Sequence, residues 1–227
     1  MFSRGSFQRE VAFYAALVRP GELCFDIGAH VGNKVEVLLK AGARVVACEP
    51  EVVCFTALRR AYRGNDRVVL LDTGVGAREG EATFYIHEQA ATSSFVKSWG
   101  HPTERETGER RVALTTLDDL ITRFGRPRFC KIDVEGFELE VVKGLAQPIR
   151  VISFEYHRTD DERTRRCLER LGQLGDLEVN VTVGETPAFV WPAWLPLQEA
   201  QDAFPSRVPR HPKWAHGEVF VRYPALQ

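Results

Sequence analysis

The sequence predicts an α/β fold: a doubly wound, mostly parallel sheet of about seven strands, with an antiparallel strand near its C-terminal end. Three observations predict it. Short apolar runs alternate with segments of helical period between residues 23 and 157. Those runs show little polar alternation, as expected of strands covered on both faces. At the end of the first run a glycine turn, Asp26-Ile27-Gly28-Ala29-His30-Val31-Gly32, leads directly into a helix.

The elements follow in order. Phe7, Val11, Tyr14, Leu17 and Val18 recur at helical spacing, so 6–18 is read as a helix, ended by Pro20-Gly21. Leu23-Cys24-Phe25-Asp26-Ile27 is the first strand, 31–39 a helix stopped near Gly42, and 44–49 a second strand closed by Pro50. A helix over 53–62 and a third strand over 68–71 complete this half. Residues 82–87 and 111–115 read as a hairpin-like addition around a polar stretch, 88–110, without clear period. Thr116 caps a helix over 117–124, with Asp118 and Asp119 in its first turn. Strands over 129–133 and 151–156 enclose a helix over 137–145, and 162–174 is helical again. Two late strands, 177–183 and 218–223, are expected to pair antiparallel across a segment rich in proline and tryptophan.

Length and composition set the frame. The 227 residues suit one domain, 1–227, made of an N-terminal helix (1–22), inserted strands with a loop (82–116) and a Pro/Trp-rich wrap (184–217). Lys+Arg 30 against Asp+Glu 31 gives a formal net charge of -1, with no electrostatic reason to expect nucleic acid or an anionic membrane as partner. Arg59, Arg60 and Arg63 fit a solvated helix face. The five cysteines contain no Cys-x-x-Cys, so neither a disulfide framework nor a zinc site is indicated. No leader-like or membrane-spanning run occurs, and a reduced, cytoplasmic setting is expected.

The glycine turn carries the first chemical reading. Glycines let the backbone turn tightly against a ligand, and the following helix start offers N–H groups to an anion. That anion is the pyrophosphate of a dinucleotide or the carboxylate of S-adenosylmethionine, whose ammonium Asp26 can meet. Glu49, ending the second strand, is placed to accept from ribose hydroxyls. Asp72, with Thr73 beside it, is placed for an adenine amino group. His30 stands where the dinucleotide fingerprint needs its second glycine, which disfavours an NAD(P)-dependent oxidoreductase. A non-catalytic adenosylmethionine-binding module is a further alternative.

Several runs then resemble one family. Phe25-Asp26-Ile27-Gly28-Ala29-His30-Val31-Gly32-Asn33, Cys48-Glu49-Pro50, Thr116-Leu117-Asp118-Asp119-Leu120, Lys131-Ile132-Asp133-Val134-Glu135-Gly136-Phe137-Glu138 and Phe154-Glu155-Tyr156-His157 are similar to FkbM-type methyltransferases. The likeness spans residues 23–157. It implies a class I, Rossmann-like methyltransferase fold and S-adenosylmethionine as cofactor. The cofactor would be held by Asp26, Gly28, His30, Gly32, Asn33, Glu49, Pro50, Asp72, Thr73 and Asp133. By analogy the acceptor is a hydroxyl of a small molecule or glycan. Two positions depart from the pattern: His30 replaces a frequent Asn, and Lys34-Val35 replaces a hydroxyl residue.

Methyl transfer needs acceptor and methyl group held in line and a group to take the hydroxyl proton. Lys131, Asp133, Glu155 and His157, at the ends of the fourth and fifth strands, are the catalytic candidates. His157 is the base by intrinsic pKa, with Glu155 on the same strand face. Asp133 and Glu135 also suit the start of a helix. Ser93, Ser94, Glu135 and His157 are candidates for binding the acceptor, although the serines equally fit a capped turn. A divalent metal on these oxygens is not favoured, because no compact ligand motif occurs. Trp191, Trp194 and Trp214, with His211 and His216, are read as an extended, proline-stiffened wrap over the sheet.

Overall fold

A computed structural model describes residues 4–97, 99, 105–208 and 215–226. Helix α1 (Arg4–Ala15) opens the chain, followed by β1 (Leu23–Ile27), α2 (Asn33–Lys40), β2 (Arg44–Cys48), α3 (Val52–Ala61) and β3 (Val68–Leu71). β4 (Gly74–Val75), β5 (Gly80–His87) and β6 (Glu106–Thr115) come next, then α4 (Leu117–Phe124) and β7 (Phe129–Ile132). The rest is α5 (Glu138–Lys143), β8 (Val151–His157), α6 (Asp161–Gly172), β9 (Glu178–Val181), β10 (Leu195–Pro196), α7 (Leu197–Arg207) and β11 (His216–Arg222).

Among the described residues the main sheet has eight strands in the order β10-β9-β11-β8-β7-β1-β2-β3. Every pairing among β8, β7, β1, β2 and β3 is parallel. Their carboxyl ends therefore share one rim, the usual ligand-binding edge of such a sheet. β11 runs antiparallel to both β8 and β9. Hydrophobic side chains fill both faces. α1 and α2 deliver Tyr14, Val35 and Leu38 to one side, while α4 to α7 deliver Leu120, Val141, Leu168 and Phe204 to the other. This two-sided cover explains the nearly unbroken apolar strands: β1 and β7 are buried at every position.

Three expectations need correction. The sheet has eight strands and not seven, because Leu195 and Pro196 pair with Val179 and Glu178 to make a short outer edge. The 184–217 segment is not wholly an extended wrap. It contains α7, since Ala200, Ala203 and Phe204 lie at helical spacing and bury one face. Trp214 and His211 lie outside the described residues. Finally, the polar 88–110 stretch ends in strand, with Glu109 opposite Tyr85 and Arg110 opposite Phe84. β5 and β6 stand with β4 in a separate three-stranded sheet, and the largely exposed first residues of β6 concealed its start.

The insert folds back toward the rim of the main sheet. Ser94 pairs with Tyr85 in an antiparallel bridge, and Phe95 packs between Phe84 and Phe137. No helix among the described residues is long and apolar enough to cross a membrane.

Candidate active site

The carboxyl ends of β1, β2, β7 and β8 open into a cleft of about 900 Å³. On its β1–β2 side, the chain turns sharply after Ile27. Gly28 (φ 82), His30 (φ 49) and Gly32 (φ 92) all take left-handed conformations. At Gly28 an added Cβ would land on the carbonyl oxygen of Asp133, so the residue must be glycine for β1 and β7 to meet here. Asp26, immediately before, is fully buried, and neither of its carboxylate oxygens has a hydrogen-bond partner. Burial pushes its pKa up to about 6, against the pull of Lys131.

Glu49 faces this turn from the end of β2. It accepts from the backbone N–H of His30 (2.7 Å) and of Glu51 (2.7 Å). These bonds fix the carboxylate in place. Burial nonetheless raises its pKa to about 7, and burial also lowers that of the neighbouring His30. A buried carboxylate without a partner costs free energy unless a ligand meets it. The groups present therefore fit a zwitterionic nucleoside: Asp26 suits an ammonium and Glu49 suits ribose hydroxyls.

The opposite wall comes from β7, β8 and β11. Lys131 reaches Asp133 at 2.5 Å. Burial acts to lower the Lys131 pKa, but Asp133, Glu218 and Asp26 hold it above its ordinary value. Two residues along β8, Glu155 accepts from His157 Nε2 (2.9 Å) and from His216 Nδ1 (3.0 Å). Burial would raise this carboxyl, yet the two imidazole hydrogen bonds outweigh it and keep it well below its ordinary pKa. Glu135, at φ 53, turns its carboxylate into the same wall and accepts from Trp99 Nε1 at 2.7 Å. Burial, Glu155 and Asp133 together push its pKa up to about 9. Ligand atoms of Glu135, Glu155 and His157 lie within 4.8 Å of one another.

The cleft gathers Asp26, Gly28, His30, Asn33, Glu49 and Pro50 on the first side. Thr73, Ser93, Lys131, Asp133, Glu135 and Glu155 line it elsewhere. Four candidates are not part of its lining. Gly32 is covered by Leu58 and Tyr62, whose hydroxyl donates to the Gly32 carbonyl. Asp72 is drawn out to a salt bridge with Arg110 at 3.0 Å. The Ser94 hydroxyl donates to the Glu135 carbonyl (2.6 Å), which makes it a prop for that turn. His157 stands behind Glu155, edge-on to Trp99 and stacked on His216. The Ser93 hydroxyl lines the cleft yet already accepts from His87 N–H.

Sequence reasoning missed His216, Glu218, Lys34, Glu185 and Trp99 as parts of this cleft and its wall. His216 and Glu218 lie opposite His157 and Glu155 in the β11–β8 register. Lys34 pairs with Glu10 of α1 and lies 4.6 Å from the Tyr14 ring centre, tying the N-terminal helix to the rim. A period-2 pattern in 216–222 is visible in the sequence, but only strand pairing tells which residues it faces.

With this geometry in view, the comparisons are specific. The Methyltransferase FkbM domain model matches residues 26–178. The chain belongs to the FkbM methyltransferase family. The chain is 26% identical over 136 residues to the Hexuronic acid methyltransferase AglP of Haloferax volcanii, covering 59% of this chain and 54% of AglP. It thus spans about half the length of that curated relative. In three dimensions it resembles an rRNA methylase from Streptococcus thermophilus (TM-score 0.53, 10% identity, 98% of each chain). It also resembles a Streptococcus mutans protein solved in complex with SAH (TM-score 0.52, 10% identity, 98% of this chain and 99% of that one). The chain therefore has the class I methyltransferase fold, with an antiparallel C-terminal part to its sheet.

Proposed function

We propose that this methyltransferase uses S-adenosylmethionine to methylate a hydroxyl oxygen of a small-molecule or glycan-like acceptor. The observation that carries the cofactor is the buried, partnerless carboxylate of Asp26 beneath the glycine turn, with Glu49 opposite. Bound S-adenosylmethionine supplies an electrophilic methyl group on a sulfonium sulfur. Asp26 takes the ammonium of the methionine moiety and Glu49 the ribose hydroxyls, while the bare Gly28 lets the turn pack on the Asp133 carbonyl beside them. Thr73, already donating to the Ala113 carbonyl, shapes the side nearest the base.

The acceptor docks against the wall of Asp133, Glu135 and Glu155, and its hydroxyl proton passes to that wall. Lys131 fixes Asp133, while His157 and His216 fix Glu155. Positioning is the main task, because the displacement needs the oxygen in line with the methyl group and little covalent assistance. A sugar-acid acceptor is supported by the name of the AglP relative.

Calorimetry against S-adenosylhomocysteine and NAD tests the cofactor: binding of the first and none of the second is expected, and tight binding of NAD alone would overturn the reading. Mass spectrometry of glycan extracts incubated with labelled S-adenosylmethionine tests the reaction. A methylated sugar product that disappears with Asp133→Asn and Glu155→Gln is expected. Full turnover by both variants would remove the acceptor-wall assignment.

A further inference from the structure

We propose that Glu135, Glu155 and His157 bind a divalent cation of the Mn2+ type on the acceptor wall of the cleft. The sequence spacing does not favour a metal, because these residues come from two separate segments, the turn between β7 and α5 and the end of β8. Folding brings two carboxylate oxygens and an imidazole nitrogen within 4.8 Å of one another. The pair already in contact, Glu155 Oε2 and His157 Nε2, is 2.9 Å apart. Two cis ligands at about 2.1 Å from an octahedral cation stand ~3 Å apart. A cation can therefore replace the proton they share without moving either residue far.

A separate observation concerns charge. Asp133 has Lys131 and Glu138 has Arg163 as cationic partners. Glu135 is also largely buried and faces Glu155, yet among the described residues no lysine or arginine reaches its carboxylate, whose hydrogen bond is from the Trp99 indole. A carboxylate pair removed from water calls for a cation between them. The wider cleft repeats the imbalance: among the described residues, nine carboxylic side chains line it against two lysines.

The surrounding shell suits ligation. Trp99 holds Oε2 of Glu135, and His216 holds Oε1 of Glu155, whose Oε2 faces His157. His157 is fixed between the Trp99 edge and the His216 face. Such outer partners orient ligands at metal sites. Two carboxylates with one imidazole form a mixed oxygen–nitrogen set that Mn2+ accepts, with positions left open toward the cleft. In so acidic a cleft, the cation would also give an anionic acceptor a positive partner. That last role rests on the methyltransferase reading; the site itself rests only on the cluster.

The test needs no acceptor. Protein stripped with a chelator is titrated with Mn2+, and free Mn2+ is followed by electron paramagnetic resonance. Saturable binding of one equivalent per chain is expected. Glu135→Gln and His157→Gln are expected to weaken it at least tenfold, and Trp99→Phe by about tenfold, the lower end of outer-shell effects. S-adenosylhomocysteine binding by the same variants, measured without metal, is expected to stay within about threefold of the parent, which certifies their fold. A rise in the parent's melting temperature with added Mn2+ supports the site independently of any variant. The proposal is overturned if the parent binds no Mn2+ saturably, or if Glu135→Gln and His157→Gln bind it unchanged. Failure of S-adenosylhomocysteine to bind the parent, with Mn2+ binding intact, would instead refute the cofactor reading alone.

Discussion

Asp26 concentrates the conflict between folding and function in one side chain. Its carboxylate is fully buried without a partner, and burial raises its pKa to about 6. Asp26→Asn is expected to weaken S-adenosylhomocysteine binding more than tenfold, because the ligand's ammonium loses its counter-charge. The complex needs the ionised carboxylate, so below about pH 6 the parent's affinity is expected to fall more steeply with pH than the variant's, in which only Glu49 still titrates. Calorimetry across pH 5 to 8 checks both. Gly28→Ala places a Cβ on the Asp133 carbonyl in a left-handed backbone. It is expected to lower the melting temperature and abolish binding, which differential scanning fluorimetry with and without ligand reads directly. At this scale the cleft positions of Asp26, Gly28 and Glu49 were legible, because each is set by the strand end it occupies or follows. The sequence concealed the turning of Asp72 toward Arg110 and the commitment of Ser94 to the Glu135 carbonyl, since both depend on where the insert folds.

Among the elements, α4 shows how local chemistry fixes a boundary. Thr116 accepts from Asp119 N–H (3.0 Å), and Asp119 accepts in return from Thr116 N–H (3.1 Å). Thr116 was legible as the cap, with Asp119 in the first turn; the reciprocal bond from Asp119 emerges only in the fold. Thr116→Ala is expected to cost about 1 kcal/mol of stability, measurable by denaturant unfolding, with cofactor affinity unchanged. The parallel strands were equally legible, since strands buried on both faces consist of apolar residues such as Leu23 to Ile27. α7 was not. Its buried stripe of Ala200, Ala203 and Phe204 is short and lies within a proline-rich stretch. β6 was half hidden for the opposite reason: its first residues are largely exposed, so Glu106 to Arg110 carry no apolar alternation.

Over the whole molecule, the raised pKa values of Asp26 and Glu49 make the ligand-free fold sensitive to pH. An acid whose folded pKa lies above its unfolded one binds more protons when folded, so its contribution to stability falls as pH rises. For these two groups the decline runs from their ordinary values, 3.8 and 4.5, to about 6 and 7. Thermal melts of the parent and Asp26→Asn are expected to agree best below pH 4 and to draw apart up to about pH 6. By pH 8 the parent is expected to melt below the variant, and a gap that failed to widen would contradict the burial cost assigned to Asp26.

The place of β11 carries a different consequence, for the order in which the protein can be made. β9 precedes β11 in the chain, yet β11 lies between β8 and β9 in the sheet. A nascent chain emerging from the ribosome must therefore keep the flank of β8 open while residues 158–215 arrive. The side of the cleft built from residues 26–49 is translated long before His216 and Glu218 can join the opposite wall. Synthesis thus completes the β1–β2 side of the cleft first and the β8–β11 side last, with an unpaired strand edge exposed to chaperones in the interval.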